Sequence, residues 1–402
     1  MHIALFSPAW PLEKHQNGIV TYVHWMKREL EGRGHQVSVF TADLHPSATA
    51  QGVFQVSDGA RSIWDRAHRR LRQLRQPGYE VFQFSTAIAA AILQVHRRDP
   101  IDVIEMEESF GWFSDVAAQT SIPLVVRLHG PAFLSLVENE LETPFAREKI
   151  VREGSALARA VTITAPCLAT LQQTVKYYRL APSTQRHIEN PLAVDVDAPL
   201  WRLDQCDRNT ILFVGRFDMR KGADVILKAF LSLLEIRPKL NLVFVGPDRG
   251  LSTAHGQTIH FEAYRNLLFP VELRRQIDFR GPLTQLEIST LRARSLVTAI
   301  ASRWENPGYT LLEAMLQGCP VVSTDAGGCA ESVVHGITGR LARSEDPSSF
   351  AEQTLAILDD PDKAQQLGAA ARRHVIERHG VTRIADAMLE VYRETMATTV
   401  NS

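Results

Sequence analysis

Short runs of β-branched and other apolar residues alternate with longer helical patterns along the whole chain, and this alternation constrains the fold more than any other feature. In the first half the runs are His2–Ser7, Gln36–Thr41, Val103–Glu107, Pro123–Leu128 and Val161–Thr164. In the second half they are Thr210–Val214, Asn241–Val245, Ile277–Arg280, Val297–Ala301 and Pro320–Ser323. Several are apolar at both alternating positions, the mark of strands covered on both faces by helices. Strand–helix alternation of this kind predicts parallel sheets with right-handed crossovers.

A chain of 402 residues is too long for one ordinary core, and ten such runs suit two moderate sheets better than one. The stretch Ile188–Asn209 holds Asn190-Pro191, Pro199 and several aspartates without sustained periodicity, which suits a connection between domains. The expected division is a Rossmann-like domain over 1–190, a connection over 191–208, a second Rossmann-like domain over 209–380 and a closing helix over 381–402. That helix carries Ile384, Met388, Val391 and Tyr392 at helical spacing and is expected to pack back on the first domain.

Composition excludes several function classes. Apolar residues at 45% and charged residues at 22% rule out wholesale disorder. With 44 Lys+Arg against 45 Asp+Glu the chain is not built for nucleic acid as a whole. Cys167, Cys206, Cys319 and Cys329 form no C-x-x-C pair, which argues against a zinc site or a disulfide framework and fits a reducing, cytoplasmic compartment. The N-terminus lacks a basic region and reads as a first strand, not a signal peptide, and no apolar stretch is long enough to span a membrane.

Ligands of open parallel sheets bind where strands end at their carboxyl edge, so the residues just after each run are the candidates. After Val297–Ala301 comes Ser302-Arg303-Trp304-Glu305-Asn306-Pro307-Gly308-Tyr309-Thr310-Leu311-Leu312-Glu313. A Pro-Gly turn opens a helix whose free N–H groups favour an anion, and two carboxylates flank it, suited to hydroxyls of a sugar or ribose. The same residues also suit an ordinary buried strand–helix turn. After Thr210–Val214 comes Gly215-Arg216-Phe217-Asp218-Met219-Arg220-Lys221-Gly222, where Arg216 and Lys221 can grip phosphate oxygens or form a solvated basic loop. Near the start, Asn17-Gly18 opens a helix running to about Glu31; no G-x-G-x-x-G fingerprint is present, which counts against a dinucleotide dehydrogenase. His129 ends the Pro123–Leu128 run before Gly130-Pro131, as a cleft-facing histidine or as a packed one.

Together these segments resemble the retaining glycosyltransferases of family 4 (group 1). The resemblance rests on Gly215-Arg216, Lys221-Gly222, Glu305 and Glu313 with seven residues between, Gly318-x-Pro320-Val321-Val322, Gly327-Gly328, Glu331, and Gly336 with Gly339. It covers about Thr210 to Leu341 closely and is thinner in the first half, at Gly18 and His129-Gly130. It implies the GT-B fold, two doubly wound α/β domains facing across a cleft, with the acceptor held mainly by the first and a nucleotide-sugar donor mainly by the second. It further implies that Arg216 and Lys221 hold the diphosphate, Glu305 the donor sugar and Glu313 the ribose. Backbone N–H groups of Gly308, Tyr309, Thr310 and Leu311 would meet sugar and phosphate, and Gly18 would close on the phosphate. His129 would lie beside the sugar, and the base near Arg280, Gly281, Pro282 and Leu283. Two departures stand out: Asn190-Pro191-Leu192 where relatives carry Asn-Gly-Val, and Pro307-Gly308-Tyr309 where Phe-Gly or Phe-Pro is commoner.

Such enzymes are thought to work by front-face substitution, with no dedicated base and no cofactor. Asp195-Val196-Asp197 reads as solvated linker, so no metal requirement is expected. Expected partners are a UDP- or GDP-sugar and a glycan or lipid-linked acceptor. Acceptor contacts are expected from Ser109–Phe113 and Ala132–Glu148, while Glu105, Glu107 and Glu108 read as a solvated acidic edge, with contact to acceptor hydroxyls as the alternative. The segment Arg61–Arg75 combines six arginines with Ile63, Trp64, Ala67, Leu71 and Leu74 at helical spacing, either a surface helix or a peripheral contact with an anionic membrane. Two other functions fit the same architecture: a nucleotide-sugar epimerase, for which no acid–base motif is found, and a non-catalytic nucleotide-sugar-binding protein.

Overall fold

The computed structural model describes residues 1–15, 17–48, 51–56, 79–136, 138–194, 198–252 and 257–400. The arginine-rich 61–75 segment and Asp195-Val196-Asp197 lie outside the described residues. The chain forms two compact units. The first comprises Met1–Leu134, Glu140–Pro191 and Val381–Ser402; the second comprises Ser135–Asn139 and Leu192–Gly380.

The strands of the first unit are β1 (His2–Trp10), β2 (Gln36–Leu44), β3 (Val53–Gln55), β4 (Val103–Glu107), β5 (Leu124–Arg127), β6 (Thr162–Ala165) and β7 (Thr184–His187). They form one parallel sheet in the order β3-β2-β1-β4-β5-β6-β7. Its side chains alternate between two cores. Ile3, Leu5, Val103 and Val125 enter one, with Tyr22, Met26 and Leu30 of the helix Gly18–Gly32 and Ile384, Met388 and Tyr392 of the closing helix Val381–Val400. Ala4, Phe6, Ile104 and Val126 enter the other, with Ile88, Ile92, Phe113 and Val116. The closing helix is therefore half of one helical layer of the first unit. Tyr392 Oη donates to Glu105 Oε2 at 2.5 Å, and Arg186 pairs with Glu394 at 3.0 Å.

The second unit contains β8 (Asp207–Val214), β9 (Asn241–Val245), a hairpin of β10 (Leu251–Ser252) and β11 (Thr258–Ile259), then β12 (Ile277–Phe279), β13 (Ser295–Ile300), β14 (Val321–Thr324) and β15 (Arg340–Ala342). Its main sheet is parallel in the order β12-β9-β8-β13-β14-β15. Ile211, Phe213, Leu242 and Phe244 pack on one face, and Leu212, Val243 and Val245 on the other.

All ten strands expected from the apolar runs are present. The expectation missed β3, β7, β15 and the hairpin. β7 is an edge strand with sequence Thr-Gln-Arg-His and little burial, so two-faced apolar patterning is not required of it. The stretch after Pro191 is less open than its polar composition suggested. Trp201 is buried, its indole N–H donates to Ser295 O at 2.8 Å, and β8 begins at Asp207. Among the described residues no helix is long and apolar enough to cross a membrane.

Candidate functional site

Both sheets reverse their winding direction beside their first strand, between β1 and β4 in one and between β8 and β13 in the other. At such a reversal the two flanking loops leave in opposite directions and open a crevice at the carboxyl edge.

In the second unit the flanking loops are Gly215–Gly222 after β8 and Ala301–Gly308 after β13. Phe217 anchors the first loop by sinking beneath it, 5.4 Å edge-on from Phe261 and 5.9 Å from Phe244. Asp218 then organises the loop: one carboxylate oxygen takes Arg216 Nε at 2.6 Å and the other takes Lys221 N–H at 2.8 Å. Gly222 has φ +68°, and a Cβ there would meet Ala301 O at 1.8 Å, so the turn tolerates only glycine.

Arg303 fastens the second loop to the first. Its N–H donates to Arg220 O at 2.9 Å, its guanidinium also donates to Met219 O, and it makes a two-pronged pair with Asp224 at 2.8 and 3.0 Å. Glu345 adds a further contact at 2.9 Å. Glu305 is thereby brought against Lys221, whose ammonium donates to Oε1; Ser302 Oγ donates to the same oxygen at 2.7 Å. Glu305 is only 4% exposed. Burial alone would raise its carboxyl, but the charges of Lys221 and Arg220 and the two hydrogen bonds outweigh it and hold the group below its ordinary value. A Cβ on Gly308 would lie 2.7 Å from Glu305 Oε2, so a side chain there would push the Glu305 carboxylate out of its place.

Gly308 gives the helix Tyr309–Leu316 no side-chain cap. Leu311 differs from its expected role: its N–H donates to Gly308 O at 3.0 Å and its side chain is buried, which commits it to the helix turn. Tyr309 and Thr310 are half-buried in the same turn. Glu313, one turn on, keeps 23% of its side chain exposed and accepts from Arg292 at 3.3 Å. Arg280, Gly281, Pro282 and Leu283 follow β12 on the same sheet edge, two strands from β8. Arg280 pairs with Asp278 at 2.8 Å, Gly281 O accepts Gly246 N–H at 2.8 Å, and Leu283 packs on Val243 and Ile288. The structure thus joins Arg216, Lys221, Glu305 and Gly308 on two adjoining loops, with Glu313 one turn along.

Gly18 and His129 belong to the carboxyl edge of the other sheet. Gly18 is exposed at the first turn of its helix, and the Asn17 side chain accepts Ile19 N–H at 2.8 Å. His129 lies edge-on to Tyr22 at 5.2 Å; burial, then the nearby Arg127 charge, drive its imidazole well below its ordinary value, so it is neutral at pH 7.

The acidic edge is corrected. Glu105, Glu107 and Glu108 are all buried, because β4 is the centre of a sheet covered on both faces. Glu108 accepts His129 N–H at 2.8 Å and Gly130 N–H at 2.7 Å, and Glu153 accepts Ala132 N–H at 2.8 Å. These carboxylates fix the loop carrying His129. Sequence reasoning also missed Asp218, Arg303 and Arg292. The first two lie inside the flagged loops, where a charge without a solvated reason was the available signal; Arg292, in a preceding helix, gave none.

Comparison with known proteins adds the family. Residues 203–374 match glycosyl transferases group 1, and residues 16–196 match glycosyltransferase family 4. The D-inositol 3-phosphate glycosyltransferase of Thermobispora bispora is 24% identical over 94% of this chain and 90% of its own length. That of Kineococcus radiotolerans is 26% identical with the same shares. Among solved structures, sucrose-phosphate synthase from Thermosynechococcus elongatus superposes with a TM-score of 0.76 at 19% identity, over 99% of both chains. HepE from Anabaena, in complex with UDP and glucose, gives 0.70 at 16% identity, over 98% of this chain and 100% of its own. Two doubly wound parallel sheets with these structural likenesses define a GT-B fold. The two family matches take up most of the chain between them, and it belongs to the group 1 glycosyltransferases of family 4.

Proposed function

We propose that the chain transfers a sugar from a UDP- or GDP-sugar to a glycan or lipid-linked acceptor, with retention at the anomeric carbon. The observation that carries this reading is the convergence of Arg216, Lys221 and Glu305 on two adjoining loops at the strand-order reversal of one sheet. Arg216 and Lys221 take the diphosphate, the uncapped start of the helix Tyr309–Leu316 adds backbone N–H groups, Glu305 takes sugar hydroxyls and Glu313 the ribose. Arg280–Leu283 are the base-side residues. From the family pattern, Gly18 meets phosphate, and His129 donates or accepts a hydrogen bond to the sugar as a neutral ring.

The acceptor oxygen forms a bond to the anomeric carbon as the bond from that carbon to the diphosphate oxygen breaks. The acceptor proton passes to a phosphate oxygen on the same face. Lys221 and Arg216 oppose the negative charge growing on the leaving diphosphate, which is where such groups lower a barrier. The relatives named for D-inositol 3-phosphate add a phosphorylated cyclitol to the acceptors worth screening. Contact of 61–75 with an anionic membrane is proposed alongside, read by co-sedimentation with anionic vesicles.

A thermal-shift screen of nucleotide sugars followed by product analysis tests the reading. Transfer to an acceptor with retention supports it; isomerised donor, or binding without turnover, replaces it with an epimerase or a binding protein. Lys221→Ala is expected to lower kcat strongly, and Glu313→Ala to weaken donor binding by about tenfold, the scale of one charge-assisted hydrogen bond.

A further inference from the structure

Arg292 lies in the helix Gln285–Arg294 and is 1% exposed. A guanidinium keeps its charge in any protein environment, so a buried one needs a carboxylate and hydrogen-bond acceptors. Among the described residues its ion-pair partner is Glu313, with Nη2 3.3 Å from Oε2. Nη1 donates to Gln317 Oε1 at 2.6 Å. Glu313 and Gln317 are four apart at the end of one helix and so share a face, and a single planar fork spans both.

Gln317 is fixed in turn. Its Nε2 donates to Pro199 O at 2.8 Å and to Ser289 O at 3.0 Å, and its own carbonyl accepts Trp201 N–H at 2.9 Å. It is 5% exposed, as befits an amide whose hydrogen bonds are all made inside the protein. Arg292 Nε finds no partner among the described residues, an unfavourable arrangement for a group of pure packing value. Exposure separates the roles: a ligand can reach Glu313, at 23%, but not Arg292.

We propose that Arg292, backed by Gln317, is a positioning residue that pins the Glu313 carboxylate, and that this pinning makes the site prefer a ribonucleotide over its deoxy counterpart. The inference rests on the proposed function, in which Glu313 meets the ribose. Arg292 occupies Oε2 and leaves Oε1, without a partner among the described residues, as the acceptor for a ribose hydroxyl. A held carboxylate distinguishes a sugar that offers that hydroxyl from one that does not; a swinging one adjusts to either.

The test is calorimetry of the full chain with UDP, GDP and ADP, and with the 2′-deoxy and 3′-deoxy forms of whichever binds. For the wild type, one deoxy form is expected to bind about tenfold more weakly than the ribonucleotide, the scale of one hydrogen bond to a charged group. Arg292→Met should weaken ribonucleotide binding about tenfold and bring the ribo-to-deoxy ratio close to one. Gln317→Leu, which keeps the arginine but frees one arm, should lower the ratio in the same direction. The ratio guards against mere misfolding, because a smaller folded fraction scales both affinities equally. If Arg292→Met does not fold, Gln317→Leu and Arg292→Lys decide. An unchanged ratio in the folded variants overturns the inference. Glu313→Gln separates the layers: if it too leaves the wild-type ratio intact, the ribose role of Glu313 is wrong and the inference falls with it. A wild-type chain that binds none of the three diphosphates ends both.

Discussion

Replacing Lys221 by methionine keeps the stem and removes the charge that faces Glu305. Glu305 is 4% exposed and would be left with Ser302 and the more distant Arg220. Breaking a buried pair from one side costs about 3–5 kcal/mol. Here the cost is smaller, about 2–3 kcal/mol, because Lys221 keeps 22% of its side chain exposed and Ser302 still donates. In a unit of this size that is a fall in Tm of roughly 4–12 °C. The pH dependence follows from the carboxyl. In the wild type its value is lowered, so its ionisation stabilises the fold at neutral pH and that contribution is lost as pH falls through the lowered value. Without Lys221, burial dominates and the ionised form becomes unfavourable. The gap between variant and wild type should therefore be widest near neutral pH and narrow as pH falls below the ordinary carboxyl value. Denaturant unfolding at neutral and mildly acidic pH reads this, with Glu305→Gln and the double variant completing a cycle. The double variant should be no less stable than Lys221→Met alone. Equal destabilisation at both pH values, or strict additivity, would refute the reasoning.

Gly222→Ala should cost the second unit about 3 kcal/mol or more, since a backbone oxygen blocks the new methyl, whereas Gly308→Ala meets only the end of the Glu305 side chain and should lower donor affinity more than Tm. Glu107 behaves oppositely to Glu305. Burial, then the neighbouring Glu108, pushes it up to about 7, so stability of the first unit falls as pH rises from the ordinary carboxyl value to that point. Glu107→Gln should therefore raise stability at pH 8 by about 1–3 kcal/mol and change little at pH 4, as read by chemical unfolding. Arg303→Met should speed amide exchange across Met219–Lys221 without touching the sheet core, because it releases Met219 O, Asp224 and Glu345 together.

The strands that build the two cores were readable because a strand buried on both faces must be apolar at every position, as Ile211–Phe213 and Leu242–Val245 are. Edge strands carry no such signal, which is why Thr184–His187 and Arg340–Ala342 went unseen. The loops bearing Lys221 and Glu305 were found because position after a strand is a sequence property. The groups that hold those loops and the Glu313 carboxylate were not, since Arg303 meets Asp224 and Arg292 meets Glu313 only once the chain has folded. Glu105, Glu107 and Glu108 were misjudged for the same reason: a run of carboxylates looks solvated until Tyr392 and the His129-Gly130 backbone arrive to satisfy it.

The closing helix has a bearing on the order of events at the ribosome. Tyr392, Met388 and Ile384 complete the layer over Ile3 and Leu5, yet they are translated almost four hundred codons later. The intervening unit gathers its strands from one nearly continuous stretch and can mature while still tethered to the exit tunnel. Until residues 381–400 emerge, the helix Gly18–Gly32 covers only part of that apolar face and the rest stays open. The first unit is thus completed only after the second has been made.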